Sequence, residues 1–304
     1  MIVANHVTMK FSVPGETPSV ALNTLSCTIP SGCIYGMIGS NGAGKSSFLR
    51  LLSGVYRPNS GEITVDGEGV WENPAVKSRI LFVPDELYFL PQSNMTDMAG
   101  MYRAIYPRFD RERFLRLSDL FGLDARANIA SFSKGMRRQA ATVLALSAKP
   151  DYLLFDETFD GLDPVMRQLV KKVIYEDVIE RQATAIITSH SLQELEDTCD
   201  QLALLHRGGI VLQSDVQDLK TALFKVQTAF EGNFGRERFE GINILSYTQM
   251  GSVCTFIVRG DREATEARIR AMGPLLLDVL PLTLEEVFIY EMQALGYSYD
   301  EAMR

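Results

Sequence analysis

Short, continuously apolar runs recur along the chain between segments that have helical periodicity. The runs 33–38, 152–155, 185–188 and 202–205 have the length and composition of strands buried on both faces of a parallel sheet. Helical patterns separate these runs, and Pro164 suits the first position of one such helix. Strands that alternate with helices predict a doubly wound α/β core.

The part of the chain before about residue 85 has a different pattern. It consists of short strands separated by turn residues, including the alternating stretch 62–66, and one helix over 45–53 interrupts them. This pattern predicts an antiparallel β portion on the N-terminal side of the core.

Helical periodicity dominates from about residue 86 to residue 149. The stretch 135–148 is rich in alanine and leucine, which favour helices. The stretch 111–121 places five apolar residues on one predicted side, namely Phe114, Leu115, Leu117, Leu120 and Phe121. We therefore predict a helical subdomain over about 86–149.

The pattern changes again beyond residue 213. The predicted elements are strands at 225–230, 242–247, 253–258 and 275–279, a helix at 262–272 and a closing helix from Leu284. This order predicts a small α+β appendage of residues 216–304, which follows a larger domain of residues 1–215.

Charge and hydropathy limit the classes of function. The chain of 304 residues carries a net charge of −8, which disfavours broad binding to nucleic acid, because such binding needs a basic face. No apolar run approaches the roughly 18 residues of a membrane-spanning helix, and the first residues lack the features of a secretory signal. We therefore expect a cytoplasmic protein that reaches a membrane only through a partner. The four cysteines form no CxxC pair, so we expect reduced thiols that serve in packing.

A glycine-rich loop lies between the run 33–38 and the predicted helix at Lys45. It matches the phosphate-binding pattern G-x-x-x-x-G-K-S/T, in which backbone N–H groups and a helix N-terminus surround the phosphates. We expect Lys45 to reach the β- and γ-phosphates and the hydroxyl of Ser46 to reach magnesium. The predicted nucleotide-binding residues are Gly39, Ser40, Asn41, Gly42, Ala43, Gly44, Lys45, Ser46 and Ser47.

Two adjacent carboxylates, Asp156 and Glu157, follow the apolar run 152–155. The carboxyl ends of parallel strands meet at the same edge of a sheet, so these side chains should lie near the glycine-rich loop. Asp156 is predicted to bind the magnesium shell, and Glu157 is predicted to accept a proton from the water that attacks the γ-phosphate. Together with the loop, this pair predicts a nucleoside triphosphatase of the P-loop type.

Several further segments resemble motifs of ABC ATPases. The segment Ser133-Lys134-Gly135, followed by a helix and lying shortly before Asp156, resembles the signature motif of that family. Residues 161–164 resemble its D-loop, Ser189-His190 resembles its switch histidine, and 8–11 resemble its A-loop. Because order and spacing agree over roughly residues 1–215, the chain is identified as similar to the nucleotide-binding subunits of ABC transporters.

The resemblance implies a magnesium-dependent ATPase that drives a separate integral-membrane permease. It further implies a head-to-tail dimer with a second, identical or closely related, subunit. Each ATP would lie between the glycine-rich loop of one copy and Ser133, Lys134 and Gly135 of the other, with Asp163 at the same interface. His190 would contact the γ-phosphate, and the ring of Phe11, which replaces the commoner tyrosine, would stack on adenine.

The largest departure from the family pattern is Asp85, which follows the strand at 81–84 where these ATPases usually have glutamine. Its carboxylate is expected to reach the magnesium shell and to signal to the membrane partner. Lys134 and Met136 also differ from the commoner residues, although Ser-Lys-Gly-Met occurs in the exporter-type branch.

Two segments resemble those of particular exporters. Residues 106–110 resemble a segment of the ATPases of phenol-soluble modulin exporters and acetoin-utilisation-type transporters, and 284–288 resemble the tail of ABC-2 type export ATPases. The resemblance implies export of a peptide or drug-like substrate. The alternative is a soluble mechanical ABC ATPase that acts on a macromolecular complex, but the sequence shows neither the second ATPase domain nor the long coiled coil common in those proteins.

Overall fold

The structure is a computed structural model that describes residues 1–12, 15, 17–232, 234–294 and 296. The chain divides into two compact units, Met1–Gln213 and Ser214–Arg304. The strands are β1 (Ile2–Phe11), β2 (Ser19–Ile29), β3 (Ile34–Ile38), β4 (Ser60–Val65), β5 (Glu68–Gly69), β6 (Ile80–Val83), β7 (Tyr152–Asp156), β8 (Thr184–Ser189), β9 (Gln201–His206), β10 (Gly209–Asp215), β11 (Leu223–Ala229), β12 (Ile244–Met250), β13 (Val253–Arg259) and β14 (Leu276–Pro281). The α-helices are α1 (Lys45–Leu52), α2 (Pro74–Lys77), α3 (Met95–Ile105), α4 (Arg111–Leu120), α5 (Lys134–Ala148), α6 (Pro164–Arg181), α7 (Leu192–Glu196), α8 (Val216–Ala222), α9 (Arg262–Arg270) and α10 (Leu284–Ala294).

A six-stranded sheet in the order β10-β9-β3-β8-β7-β6 forms the centre of the first unit. Its strands β9, β3, β8, β7 and β6 pair in parallel. β3, β7 and β8 are buried along their whole length, which explains their continuously apolar sequences. The predicted α/β core is confirmed, and the carboxyl ends of these three strands lie at one edge of the sheet.

A second, antiparallel sheet of four strands in the order β2-β1-β4-β5 completes the first unit. Its inward side chains, among them Val7 and Leu22, share one core with Phe48 of α1. The predicted antiparallel β portion is therefore confirmed. The first two strands, of 10 and 11 residues, are longer than the short strands that the sequence pattern predicts.

Between residues 86 and 149 the chain is helical and contains α3, α4 and α5. The predicted apolar side of α4 is wrong for two residues, because Leu115 and Leu120 are 48% and 52% exposed. Phe114, Leu117 and Phe121 are buried, and their spacing of three and four residues defines one helix face that excludes the other two. Among the described residues, no helix combines the length and apolarity that crossing a membrane requires.

A buried ion cluster joins this helical region to α6. The carboxylate of Asp177 is fully buried and makes ion pairs with Arg113 of α4 and with Arg181 of α6. Arg181 Nε donates to Asp177 Oδ1 over 2.9 Å. A buried carboxylate is stable only with such partners, so this cluster links α4 to α6.

The second unit is built on an antiparallel sheet of four strands in the order β12-β13-β11-β14. Helix α9 crosses from β13 to β14, whereas a 3₁₀ turn at Arg236–Phe239 lies between β11 and β12. This order is that of a split βαβ arrangement with its first helix reduced to one turn. One face of the sheet buries a core that includes Phe239 and Phe256. The predicted α+β appendage is confirmed, with strand boundaries displaced by up to three residues.

All four cysteines are free thiols, of which Cys33 is partly exposed and the others are buried. Burial raises the pKa of the Cys27 thiol to about 12 and that of the Cys33 thiol to about 11. Burial also raises the pKa of Cys199 and of Cys254. These thiols therefore remain protonated near neutral pH and act as small packing groups.

Candidate active site

The loop between β3 and α1 depends on two glycines for its shape. A Cβ atom at Gly39 would lie 2.4 Å from the backbone oxygen of Leu205, and one at Gly44 would lie 2.4 Å from that of Ala21. Gly44 also has a φ of 110°, in the region that favours glycine, immediately before α1. The strand, loop and helix thus have the arrangement expected of a phosphate-binding loop.

Lys45 begins α1, and its side chain is buried beside this loop. Its Nζ donates to the backbone oxygens of Gly39 over 2.6 Å and of Ser40 over 3.2 Å. It also lies 3.3 Å from Glu157 Oε1, which makes an ion pair. The lysine ammonium is therefore held over the loop and next to the carboxylate predicted to be the base.

Asp156 ends β7 and is buried, and its two oxygens have different surroundings. Oδ1 accepts a hydrogen bond of 2.7 Å from the hydroxyl of Thr188 on the neighbouring strand β8. Oδ2 is buried and has no hydrogen-bond partner among the described residues. A buried carboxylate oxygen that lacks a partner is costly, unless a cation completes its surroundings.

Glu157 follows β7 with a φ of 47°, which is unusual for a residue other than glycine. Its N–H donates to the hydroxyl of Thr188 over 3.1 Å, and this bond holds the backbone in place. Glu157 Oε2 lies 3.0 Å from His190 Nδ1, just beyond β8, and the His190 side chain is 56% exposed. The structure thus connects Lys45, Glu157 and His190 through direct contacts at one edge of the sheet.

The segment Ser133-Lys134-Gly135 lies at the start of α5, where Ser133 is the N-cap. Ser133 Oγ accepts from the N–H of Met136 over 3.2 Å, which leaves its own hydroxyl proton available to donate. Lys134 Nζ makes an ion pair of 2.6 Å with Asp160. A Cβ atom at Gly135 would lie 3.0 Å from the backbone oxygen of Gly161, so this segment packs against residues 160–161.

Three more of the predicted site residues contact neighbouring parts of the protein, apart from the series Lys45, Glu157 and His190. Asp163 caps α6, since its Oδ1 accepts from the N–H groups of Val165 and Met166, both over 3.0 Å. Phe11, 37% exposed at the end of β1, packs edge-on against Tyr56 with ring centroids 5.5 Å apart. Asp85 makes an ion pair with Arg138 on α5, with 2.7 Å between Oδ1 and Nη2.

The donor set at Asp156 fits magnesium. Mg²⁺ prefers hard oxygen ligands and typically takes one or two carboxylates, with waters and substrate phosphates as its other ligands. The free Oδ2 of Asp156 is such a ligand, and Ser46, a partly exposed residue on the first turn of α1, carries a hydroxyl. Within the described ranges, no group of three or more His, Cys, Asp or Glu side chains is placed to hold a metal ion by itself.

The sequence did not identify Thr188 and Arg138 as residues that contact the predicted site. Thr188 is fully buried, and its hydroxyl contacts both members of the adjacent carboxylate pair. A threonine at the end of an otherwise apolar strand was a possible signal. Arg138 gave no such signal, because it stands next to Arg137 in the sequence and only packing distinguishes the two.

A family model described as "ABC transporter" matches residues 22–160 of the chain. The ABC transporter ATP-binding protein YtrB of Bacillus subtilis (strain 168) is 31% identical over 268 residues, which cover 88% of this chain and 91% of that protein. This aligned length exceeds that of the first unit, Met1–Gln213, so the similarity extends into the second.

Of two shorter matches, one is named for import and the other for drug resistance. The methionine import ATP-binding protein MetN 2 of Yersinia pestis bv. Antiqua (strain Antiqua) is 32% identical, over 67% of this chain and 66% of that protein. The daunorubicin/doxorubicin resistance ATP-binding protein DrrA of Streptomyces peucetius is 30% identical, over 67% of this chain and 63% of that protein. Among solved structures, the dimeric bacterial ABC transporter cassette MJ0796 shares the fold with a TM-score of 0.65 and 19% identity, over 71% of this chain and 99% of that one.

Proposed function

Because the chain belongs to the family of ABC transporter ATP-binding proteins, we propose that it hydrolyses ATP to power the export of a peptide or drug-like substrate. The single observation that carries the hydrolytic activity is the contact series from Lys45 through Glu157 to His190, beside the free oxygen of Asp156. Export rests on the resemblance of residues 106–110 and 284–288 to exporters.

In the proposed reaction, the chain binds the phosphates of ATP through residues 39–47. Mg²⁺, when bound, neutralises charge on the β- and γ-phosphates. Lys45 exchanges its contact with Glu157 for the phosphate oxygens, and Asp156 and Ser46 supply oxygens to the metal shell. Glu157, freed from the ammonium, accepts a proton from the attacking water, and His190 holds the Glu157 carboxylate through its Nδ1.

The proposed active unit is a head-to-tail dimer with a second ATPase subunit. The hydroxyl of Ser133 donates a hydrogen bond to the ATP of the partner copy, and the N-terminus of α5 adds its dipole there. Lys134, Gly135 and Asp163 form the same surface, and Phe11 stacks on adenine. The dimer is proposed to act on an integral-membrane permease, which places the subunit at the cytoplasmic face of the membrane, with residues 85–101 near the permease.

Hydrolysis and partnership are tested together. We expect the purified chain to hydrolyse ATP only with Mg²⁺, and we expect the affinity-tagged chain to co-purify from detergent-solubilised membranes with an integral-membrane protein of about six apolar segments. Lys45→Ala is the control, since it removes the ammonium that binds phosphate. Co-purification with ribosomes or DNA in place of a membrane protein would contradict the transport proposal and favour a mechanical ATPase.

Thr188 should position the magnesium-binding carboxylate. Thr188→Val keeps the shape of the side chain but leaves Asp156 Oδ1 and the N–H of Glu157 without a partner. Loss of an outer-shell partner typically weakens metal binding about 10- to 100-fold. We therefore expect Mg²⁺-dependent ATP binding, measured by calorimetry, to fall within that range, whereas Thr188→Ser should bind as the parent does. Equal binding by the valine and serine variants would show that the hydroxyl has no such role.

A further inference from the structure

A buried guanidinium joins the first turns of α5 to the ends of two strands. Arg138 is 1% exposed and lies five residues after the N-cap Ser133. Its Nη2 donates to Asp85 Oδ1 over 2.7 Å, and its Nη1 lies 3.4 Å from the backbone oxygens of both Pro84 and Asp156. Pro84 follows β6 and Asp156 ends β7, so a single side chain holds the helix against two neighbouring strand ends.

The charge of Arg138 is compensated from one side. Among the described residues, Asp85 is the one carboxylate in ion-pair contact with it, and Arg138 Nε is buried without a hydrogen-bond partner. The side chain of Asp85 is 50% exposed. If the pair separates, water can solvate the carboxylate but not the guanidinium, so the arginine depends on the aspartate more than the aspartate depends on the arginine.

We propose that Arg138 is a positioning residue for ATP hydrolysis and that Asp85 acts as its counterion, not as a ligand of magnesium. This inference rests on the proposed function, because it concerns the two surfaces that would enclose ATP. Ser133 belongs to the surface offered to the partner copy, and Asp156 belongs to the chain's own nucleotide site. Arg138 contacts the backbone of Asp156 from the helix that Ser133 caps, so it fixes the orientation of one surface relative to the other.

The exposed half of Asp85 makes this link open to control. Asp85 follows β6, in the stretch proposed to lie near the permease. A contact that draws its carboxylate away leaves the buried guanidinium unpaired and loosens α5 from the ends of β6 and β7. The pair thereby connects the proposed permease-facing loop to the ATP-enclosing surface without any change in residues 39–47.

The test is a double-mutant cycle with Asp85→Asn, Arg138→Met and both together, compared with Glu86→Gln, which neutralises the neighbouring exposed carboxylate. Each variant is examined for ATP affinity with and without Mg²⁺ and for ATP turnover. Dimerisation on ATP is measured by sedimentation in a Glu157→Gln background. We expect each single variant to lower the rate of ATP turnover and the association constant of the dimer roughly tenfold, which is within the range of coupling between residues in contact. ATP affinity and its Mg²⁺ dependence should not change, the double variant should fall no further than Arg138→Met, and Glu86→Gln should match the parent.

Three outcomes would overturn the inference while the parent protein remains an active ATPase. Additive effects in the double variant would show that the two residues act separately. A loss of ATP affinity in Asp85→Asn that appears only with Mg²⁺ and persists beside Arg138→Met would identify Asp85 as a metal ligand. Unchanged turnover in Asp85→Asn would remove the counterion role. Should Arg138→Met fail to fold, Arg138→Lys keeps the charge without the planar fork and should also lower turnover without altering ATP affinity. An inactive parent would contradict the proposed function itself.

Discussion

Replacing Glu157 with glutamine is expected to lower ATP turnover by about 10²- to 10⁴-fold, the usual contribution of a general base. Glu157→Gln removes the charge but keeps the size of the side chain, and the phosphate contacts from residues 39–47 stay intact. ATP binding should therefore be retained, and the unhydrolysed ATP should hold two copies together. Steady-state phosphate release measures the first effect, and size-exclusion chromatography with ATP measures the second.

Lys45→Ala provides the comparison, because it should lose the nucleotide and, with it, the dimer. The Nζ of Lys45 contacts both the backbone oxygen of Gly39 and the carboxylate of Glu157. Removing it should therefore weaken nucleotide binding and not only the hydrolytic step. A Glu157→Gln protein that hydrolyses ATP near the parent rate would refute the assignment of the base. The attacking water would then have to be oriented by another group, with His190 as the first candidate.

Replacing Asp177 with alanine is expected to lower the free energy of unfolding of the first unit by about 3–5 kcal/mol, the range for breaking a buried ion pair by removing one partner. The change leaves the guanidinium groups of Arg113 and Arg181 without their shared carboxylate. Urea unfolding followed by circular dichroism measures the shift in midpoint.

Glu176→Gln is the matched control, one residue earlier on α6. Glu176 pairs with Lys172 over 3.8 Å on the exposed side of the helix, and such pairs contribute about 0.5 kcal/mol or less. If Asp177→Ala lowers the free energy of unfolding no more than Glu176→Gln does, the buried cluster does not stabilise the attachment of α4 to α6.

The parts of the fold that sequence predicted are those with a strong local signal. Buried strands appear as apolar runs, and the glycine-rich loop fixes where β3 ends and α1 begins. The apolar side of α4 was only partly predicted, because a ten-residue helix with four apolar positions allows more than one buried face. Packing selects the face that carries Phe114 and Leu117 and leaves Leu115 exposed.

The predicted site shows the same division. Asp156 ends β7, and Glu157 and His190 directly follow β7 and β8. Lys45 begins the helix that follows β3. These strands end at one edge of the sheet, so the convergence of the four residues follows from topology. The partner of Asp85 could not be predicted, because α5 is buried on every side from Arg138 onward and therefore has no periodic signal. Long-range contacts of polar side chains depend on packing that no local pattern encodes.

The state of the four native thiols has a practical consequence for labelling. Because burial raises the pKa of the Cys27 thiol to about 12 and that of the Cys33 thiol to about 11, neither forms the reactive thiolate at neutral pH, and Cys199 and Cys254 are similarly suppressed. A cysteine introduced at an exposed position would be the preferred target of maleimide dyes and bifunctional cross-linkers. We therefore expect the unmodified sequence to react little with thiol reagents, so that one introduced cysteine would carry nearly all of the label.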